Sequence, residues 1–170
     1  MAGHLTGQRS EVSQRHLFGM TRYSFPYGIR FREDRQIELF PAAELSIKGR
    51  GKRGIRATFH IDSGATISVL PASDARALGI PLRRGSKMDV RSVSGETLSG
   101  YQHTIAVMLD GTRLTIPVIF VEQVLVPRIL GREGIFPRFA IVFDEARRRV
   151  AFIDGDTERQ VIDTLFPTSV

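Results

Sequence analysis

The chain of 170 residues contains no cysteine, which excludes disulfides and thiolate metal sites and leaves the redox compartment open. Its four histidines, His4, His16, His60 and His103, show none of the spacings that gather ligands around one ion, so no metal site is expected. Long hydrophobic runs are also missing. No stretch reaches the length of a membrane span, and the first twenty residues lack an apolar leader core, so a soluble cytoplasmic protein is the default expectation. Aromatic residues do not alternate with basic ones as a stacking platform for single strands requires, and a nucleic-acid partner is not expected.

What the chain does have is positive charge, with a formal balance of +6. Its sources are scattered over Lys48, Arg50, Lys52, Arg53 and Arg56, then Arg83, Arg84 and Lys87, then Arg147, Arg148 and Arg149. Each group falls where a hairpin loop or turn is expected, so solvated loop tips explain them without a polyanionic partner. The length suits one domain with a real core and is short for two.

Residues 1–40 read as an N-terminal arm. Up to about Ser24 it is polar and aperiodic, with the composition of a mobile segment, and from Phe25 to Pro41 a loose alternation allows an extra strand or hairpin. Residues 41–155 carry the signals of a small β domain, and 156–170 form a tail whose Val161, Ile162, Leu165 and Phe166, like the arm before Leu45, are available for dimer contacts. Leu45 to Lys48 and Ile55 to Ile61 flank a glycine-rich basic loop as a first hairpin, with Ile55, Ala57, Phe59 and Ile61 on one face. Ile67 to Leu70 reads as a buried strand and Ala72 to Leu78 as a short helix stopped by Gly79 and Pro81. Met88 to Val93 and Thr97 to Leu109 flank a Ser94-Gly95 turn, and Asp110-Gly111, the strongest turn signal, leads into Leu114 to Val121. Gly131 to Phe136 reads as a second short helix, and Phe139 to Phe143 pairs with Val150 to Ile153 as a last hairpin. Many short strands, glycine turns and one or two brief helices predict an all-β fold, a small closed or nearly closed β barrel.

The chemistry concentrates in FHIDSGATISVLP, residues Phe59 to Pro71. An acid, Asp62, follows the apolar residues of a strand, and Ser63, Gly64, Ala65 and Thr66 then supply small residues before a second apolar run. A carboxylate so placed stands at the end of a buried strand on a turn that only small residues can make. Asp-Ser-Gly alone is a common turn sequence. Downstream, however, Ile129-Leu130-Gly131-Arg132 supplies a second element, with a glycine-bearing hairpin between the two.

With both elements in one chain, the sequence resembles the retropepsin-like (retroviral-type) aspartic proteases of the single-domain prokaryotic type, over about Leu45 to Ile153. The resemblance implies a barrel of the acid-protease type, with Asp62 as the catalytic acid. Ser63 would bond across a dimer axis, Gly64 would offer its amide beside the carboxylate, Ala65 would keep the substrate floor low, and Thr66 would support the same loop. Gly131 would pack against the active-site loop and Arg132 would brace it. In retroviral enzymes an acid at the position of Thr66 pairs with that arginine, so here Arg132 needs another partner, Glu133 or a backbone carbonyl. Val93, Ser94, Gly95 and Glu96 would form the tip of a substrate-covering flap. Tyr101 and His103, which follow the flap, are read as packing or surface residues.

The implied reaction needs two carboxylates close enough to share a proton, and this chain has a single Asp-Ser-Gly. The resemblance therefore implies a homodimer that hydrolyses peptide or protein substrates with an Asp62 pair and without a cofactor. A second reading keeps the fold and drops the turnover, as a binding or scaffolding module. A strict monomer would favour it.

Overall fold

The computed structural model describes residues 22–32, 34–91, 95, 97–123, 126–155 and 163–164. Ahead of the expected domain lie β1 (Arg22–Pro26), β2 (Gly28–Phe31) and β3 (Ile37–Phe40). The first barrel hairpin is β4 (Ala42–Lys48) and β5 (Gly54–Ile61), followed by β6 (Ser68–Pro71) and helix α1 (Ala72–Leu78). β7 (Ser86–Arg91), β8 (Thr97–Leu109) and β9 (Thr112–Val121) form a meander, and β10 (Ile129–Leu130) is a two-residue strand. β11 (Phe139–Asp144) and β12 (Arg149–Asp154) close the described domain.

The main sheet runs β4-β5-β10-β6-β9-β8-β7, and an additional pairing of β4 with β8 bends it into a ring. Ser46 to Lys48 lie opposite Met108 to Ala106 at that closure. Closure covers the β4 edge, leaving β7 at the margin, and gives the inward faces a common interior. On β5 the alternation works as read: Ala57, Phe59 and Ile61 are buried while Arg56 and Thr58 are exposed. Leu45, Ile47, Leu70, Val107, Ile116 and Phe120 complete that interior with almost no exposed surface. The fold is the expected mostly-β barrel with little helix.

Local signals placed several elements accurately. Helix α1 ends at Gly79, whose φ of 68° is the left-handed stop, and the Ile80 N–H then bonds the Ala75 carbonyl at 2.8 Å. Asp110 and Gly111 both take positive φ, 41° and 93°, as the tight turn between β8 and β9 requires. The basic groups fall largely as expected, with Arg50, Lys52 and Arg53 on the β4–β5 loop and Arg147 and Arg148 at the last turn, all exposed.

Two expectations are corrected. Residues 22–24, expected in a mobile arm, belong to β1, which pairs antiparallel with β12 in a three-stranded sheet ordered β1-β12-β11. Tyr23 and Phe25 are buried there, and Phe25 meets Phe152 edge-on at 5.8 Å between ring centres. That aromatic burial outweighs the polar composition around it. The rest of the expected mobile arm, residues 1–21, lies outside the described residues. The segment from Gly131 to Phe136 is not a helix but a run of turns. Gly134 takes φ 77° in its middle and Pro137 has no N–H, so only isolated bonds form, such as Phe136 N–H to the Arg132 carbonyl at 2.9 Å. Among the described residues, no helix is long and apolar enough to cross a membrane.

Candidate active site

β5 delivers Asp62 to the surface. Phe59 and Ile61 anchor the strand in the core, so the next residue emerges at the rim, and Asp62 is part-exposed while Ser63 and Gly64 are fully outside. The Gly64 amide donates to Asp62 Oδ1 at 2.8 Å and holds the carboxylate over the turn. A Cβ on Gly64 would sit 3.2 Å from that same oxygen. A side chain there would crowd the acid's own oxygen by a few tenths of an ångström, and backbone strain plays no part, since Gly64 does not adopt a left-handed φ.

The turn is fixed from below by β10. This short strand lies between β5 and β6, parallel to the first and antiparallel to the second, so the chain from Asp62 to Ile67 arches over it. The Asp62 N–H bonds the Leu130 carbonyl at 3.1 Å. Just beyond β10, the Arg132 and Glu133 amides donate to the Ala65 and Thr66 carbonyls, both at 2.9 Å. Gly131 is packed where a Cβ would meet backbone atoms of Ile67 and Ser68 at 2.6 to 3.0 Å. Gly131 thus lies in close backbone apposition to the segment that leads from the Asp62 turn into β6.

Arg132 also reaches that loop, through a partner not anticipated: its Nη2 donates to Thr66 Oγ1 at 3.3 Å, and among the described residues neither Glu133 nor a backbone carbonyl is its side-chain partner. The threonine hydroxyl occupies the acceptor role a carboxylate would otherwise fill, with a weaker bond between neutral and charged groups. Sequence reasoning missed Ser68. It is fully buried, and its Oγ accepts from the Gly131 N–H at 3.0 Å. The available signal was a lone hydroxyl in the apolar run Ile67 to Leu70, where burial demands a partner.

His60, two residues before the acid, packs on the Phe40 ring at 5.1 Å. Burial, and after it the Arg30 guanidinium, hold its imidazole below the usual 6.5. His103 is a packing residue, as read: its Nε2 shares a hydrogen bond with the Leu82 carbonyl at 2.8 Å and its ring meets Phe120 edge-on. β7 and β8 pair antiparallel down to Arg91 opposite Thr97, so the expected hairpin exists. Gly95, at its end, takes φ 87°. Ser92, Val93, Ser94 and Glu96 lie outside the described residues. Among the described residues no group of three or more His, Asp or Glu side chains could hold a metal.

Residues 43–133 match the family model described as "Aspartyl protease". That span holds the Asp62 turn, the β7–β8 hairpin and Gly131-Arg132. No curated protein sequence matches the chain. Among solved structures, a retropepsin-like aspartic protease from Rickettsia conorii superposes with a TM-score of 0.51 at 16% identity, over 82% of this chain and 98% of that one. The retroviral protease-like domain of Ddi1 from Leishmania major gives 0.49 at 16% identity, over 68% and 92%. EIAV protease in complex with the inhibitor HBY-793 gives 0.42 at 19% identity, over 55% and 82%. The Rickettsia likeness shows the fold to be retropepsin-like.

Proposed function

Since the chain belongs to the aspartyl protease family, we propose that it is an aspartic endopeptidase acting as a homodimer, with Asp62 of each subunit forming the catalytic pair. The observation that carries this reading is the presentation of Asp62. Its carboxylate is oriented by the Gly64 amide at 2.8 Å on an exposed turn of small residues, and that turn is braced by β10 and Arg132. A single carboxylate so placed has the open side on which a second can face it.

The chemistry follows from the pairing. Two carboxylates a few ångströms apart cannot both ionise at modest pH, so one keeps a proton. The ionised member takes a proton from a water held between them, and that water attacks the scissile carbonyl carbon. The protonated member donates to the carbonyl oxygen as it gains charge, and a proton then passes to the leaving amine. Ser63, exposed beside each acid, would bond across the twofold axis, and the β7–β8 hairpin with Gly95 at its end would serve as the flap. Residues 41–155 would constitute the catalytic domain and no cofactor takes part.

The test is cleavage of a peptide library at mildly acid pH by the purified chain. Activity should be blocked by a statine-type transition-state analogue, and Asp62→Asn should lower it by about a thousandfold with the thermal midpoint kept. A fully active Asp62→Asn protein would remove the assignment. Retention of the dimer with no cleavage under any condition would leave a binding module on the same fold.

A further inference from the structure

Four large apolar side chains stand outward on the β2–β3 hairpin: Ile29 is 63% exposed, Phe31 75%, Ile37 62% and Leu39 45%. Register makes them one patch, with Ile29 opposite Leu39 and Phe31 opposite Ile37. The opposite face carries Gly28, Arg30, Glu38 and Phe40, half-buried and joined to the body through the Phe40 ring. There Arg30 pairs with Glu38 at 3.8 Å and lies 4.9 Å over the Phe40 ring, which in turn packs on His60. The usual polarity of a surface ribbon, apolar inward and charged outward, is reversed. A two-stranded ribbon is marginal by itself, and an apolar face left in water adds to that deficit.

We infer that this outward face is a dimerisation surface and that what covers it is the same face of a second copy of the chain. The inference rests on the two-copy catalytic reading above, and it names the surface that would hold the copies together. Size is the first argument. The four side chains present on the order of 400 Å², at the upper end of the apolar patches that monomers carry. Doubled across a twofold axis this is about 800 Å², roughly half of a stable interface. The Asp62 turn, built of Ser63, Gly64, Ala65 and Thr66, is too small to hold two subunits by burial. Position is the second. The hairpin runs through Phe40 and Pro41 into β4, where Ala42 lies opposite His60 and the Pro41 carbonyl accepts the Ile61 N–H at 2.9 Å. A contact on the hairpin is thereby joined to the strand that carries the acid.

Chemistry is the third argument. A twofold interface must be self-complementary, and a face of Ile, Phe, Ile and Leu meets its copy without burying like charges. Each copy carries +6, so association has to come from apolar contact against overall repulsion. The dimer should therefore tighten as salt screens that repulsion.

Sedimentation equilibrium of the full chain with Phe31→Arg tests this directly. The expected result is a dimer dissociation constant raised about a hundredfold, with circular dichroism and thermal midpoint near wild type. Because the natural chain has no cysteine, Ile29→Cys supplies a second readout that survives if Phe31→Arg does not fold. A bismaleimide should link two Ile29→Cys chains, while Lys52→Cys, on the exposed β4–β5 turn, should stay unlinked. A dimer that tolerates Phe31→Arg, or an Ile29→Cys chain that does not link, overturns the hairpin surface and leaves the Asp62 pairing standing. A hairpin-dependent dimer whose Asp62→Asn form still cleaves peptide overturns the catalytic reading and leaves the surface. A wild-type chain that is monomeric at micromolar concentration overturns both.

Discussion

The hydroxyl of Thr66 does the work of an acceptor for Arg132 at 3.3 Å, on a loop where both side chains are exposed. A bond of that length to a neutral oxygen in water contributes little, so Thr66→Ala should cost under about 1 kcal/mol. Thr66→Asp is more informative, because it offers the guanidinium an ionised partner in the same place. It should stabilise by up to about 1 kcal/mol, read as a rise of about 2–4 °C in the thermal midpoint that high salt removes. His60 sets a second residue-scale expectation. Its folded value lies below the unfolded 6.5 because burial and Arg30 disfavour its charge, so the unfolded chain binds more protons between those two values. Stability is then complete above 6.5 and declines as pH falls through that window. His60→Gln should flatten this part of a midpoint-against-pH series, and an unchanged slope would show that the imidazole is not its source.

Elements differ in how far their own residues determine them. Gly131 belongs to an apposition of two segments, because a Cβ there would strike the backbone of Ile67 and Ser68 rather than a movable side chain. Gly131→Ala should cost about 1–3 kcal/mol by overpacking and lower activity by displacing the Asp62 turn, measured as urea unfolding beside turnover. Helix α1 is tied to the segment before β10 by Arg128, whose Nε and Nη2 grip Asp74 at 2.7 and 2.8 Å. Asp74 is buried, so Asp74→Ala should cost about 2 kcal/mol by removing that charged acceptor. Local signals were sufficient for α1 and for the Asp110-Gly111 turn, since a left-handed stop and a tight turn need only adjacent residues. They failed at 131–136. There the apolar spacing suits a helix, but Gly134 turns left-handed and the amides of Arg132 and Glu133 are drawn to Ala65 and Thr66.

At the scale of the whole molecule the proposed reaction depends on concentration. With half a site on each subunit, specific activity should fall in proportion to protein concentration once the solution is diluted below the dimer constant. A constant specific activity down to the assay limit would mean that one chain suffices. Amino-acid order alone determined the class of fold, the β5 strand that lifts Asp62 to the rim, and the small residues around that acid. Alternation, turn chemistry and residue size act over a few neighbouring positions, and each is written in a short window. Only the tertiary structure decided that Ile129 and Leu130 enter between β5 and β6, that β4 closes on β8, and that Ser68 and Thr66 receive the bonds of Gly131 and Arg132. It also decided that the β2–β3 ribbon turns its apolar side out and leaves Arg30 and Glu38 half-buried, the reverse of what alternation at a surface favours. These are pairings across tens of residues, and they are selected by which segments the closed ring brings together.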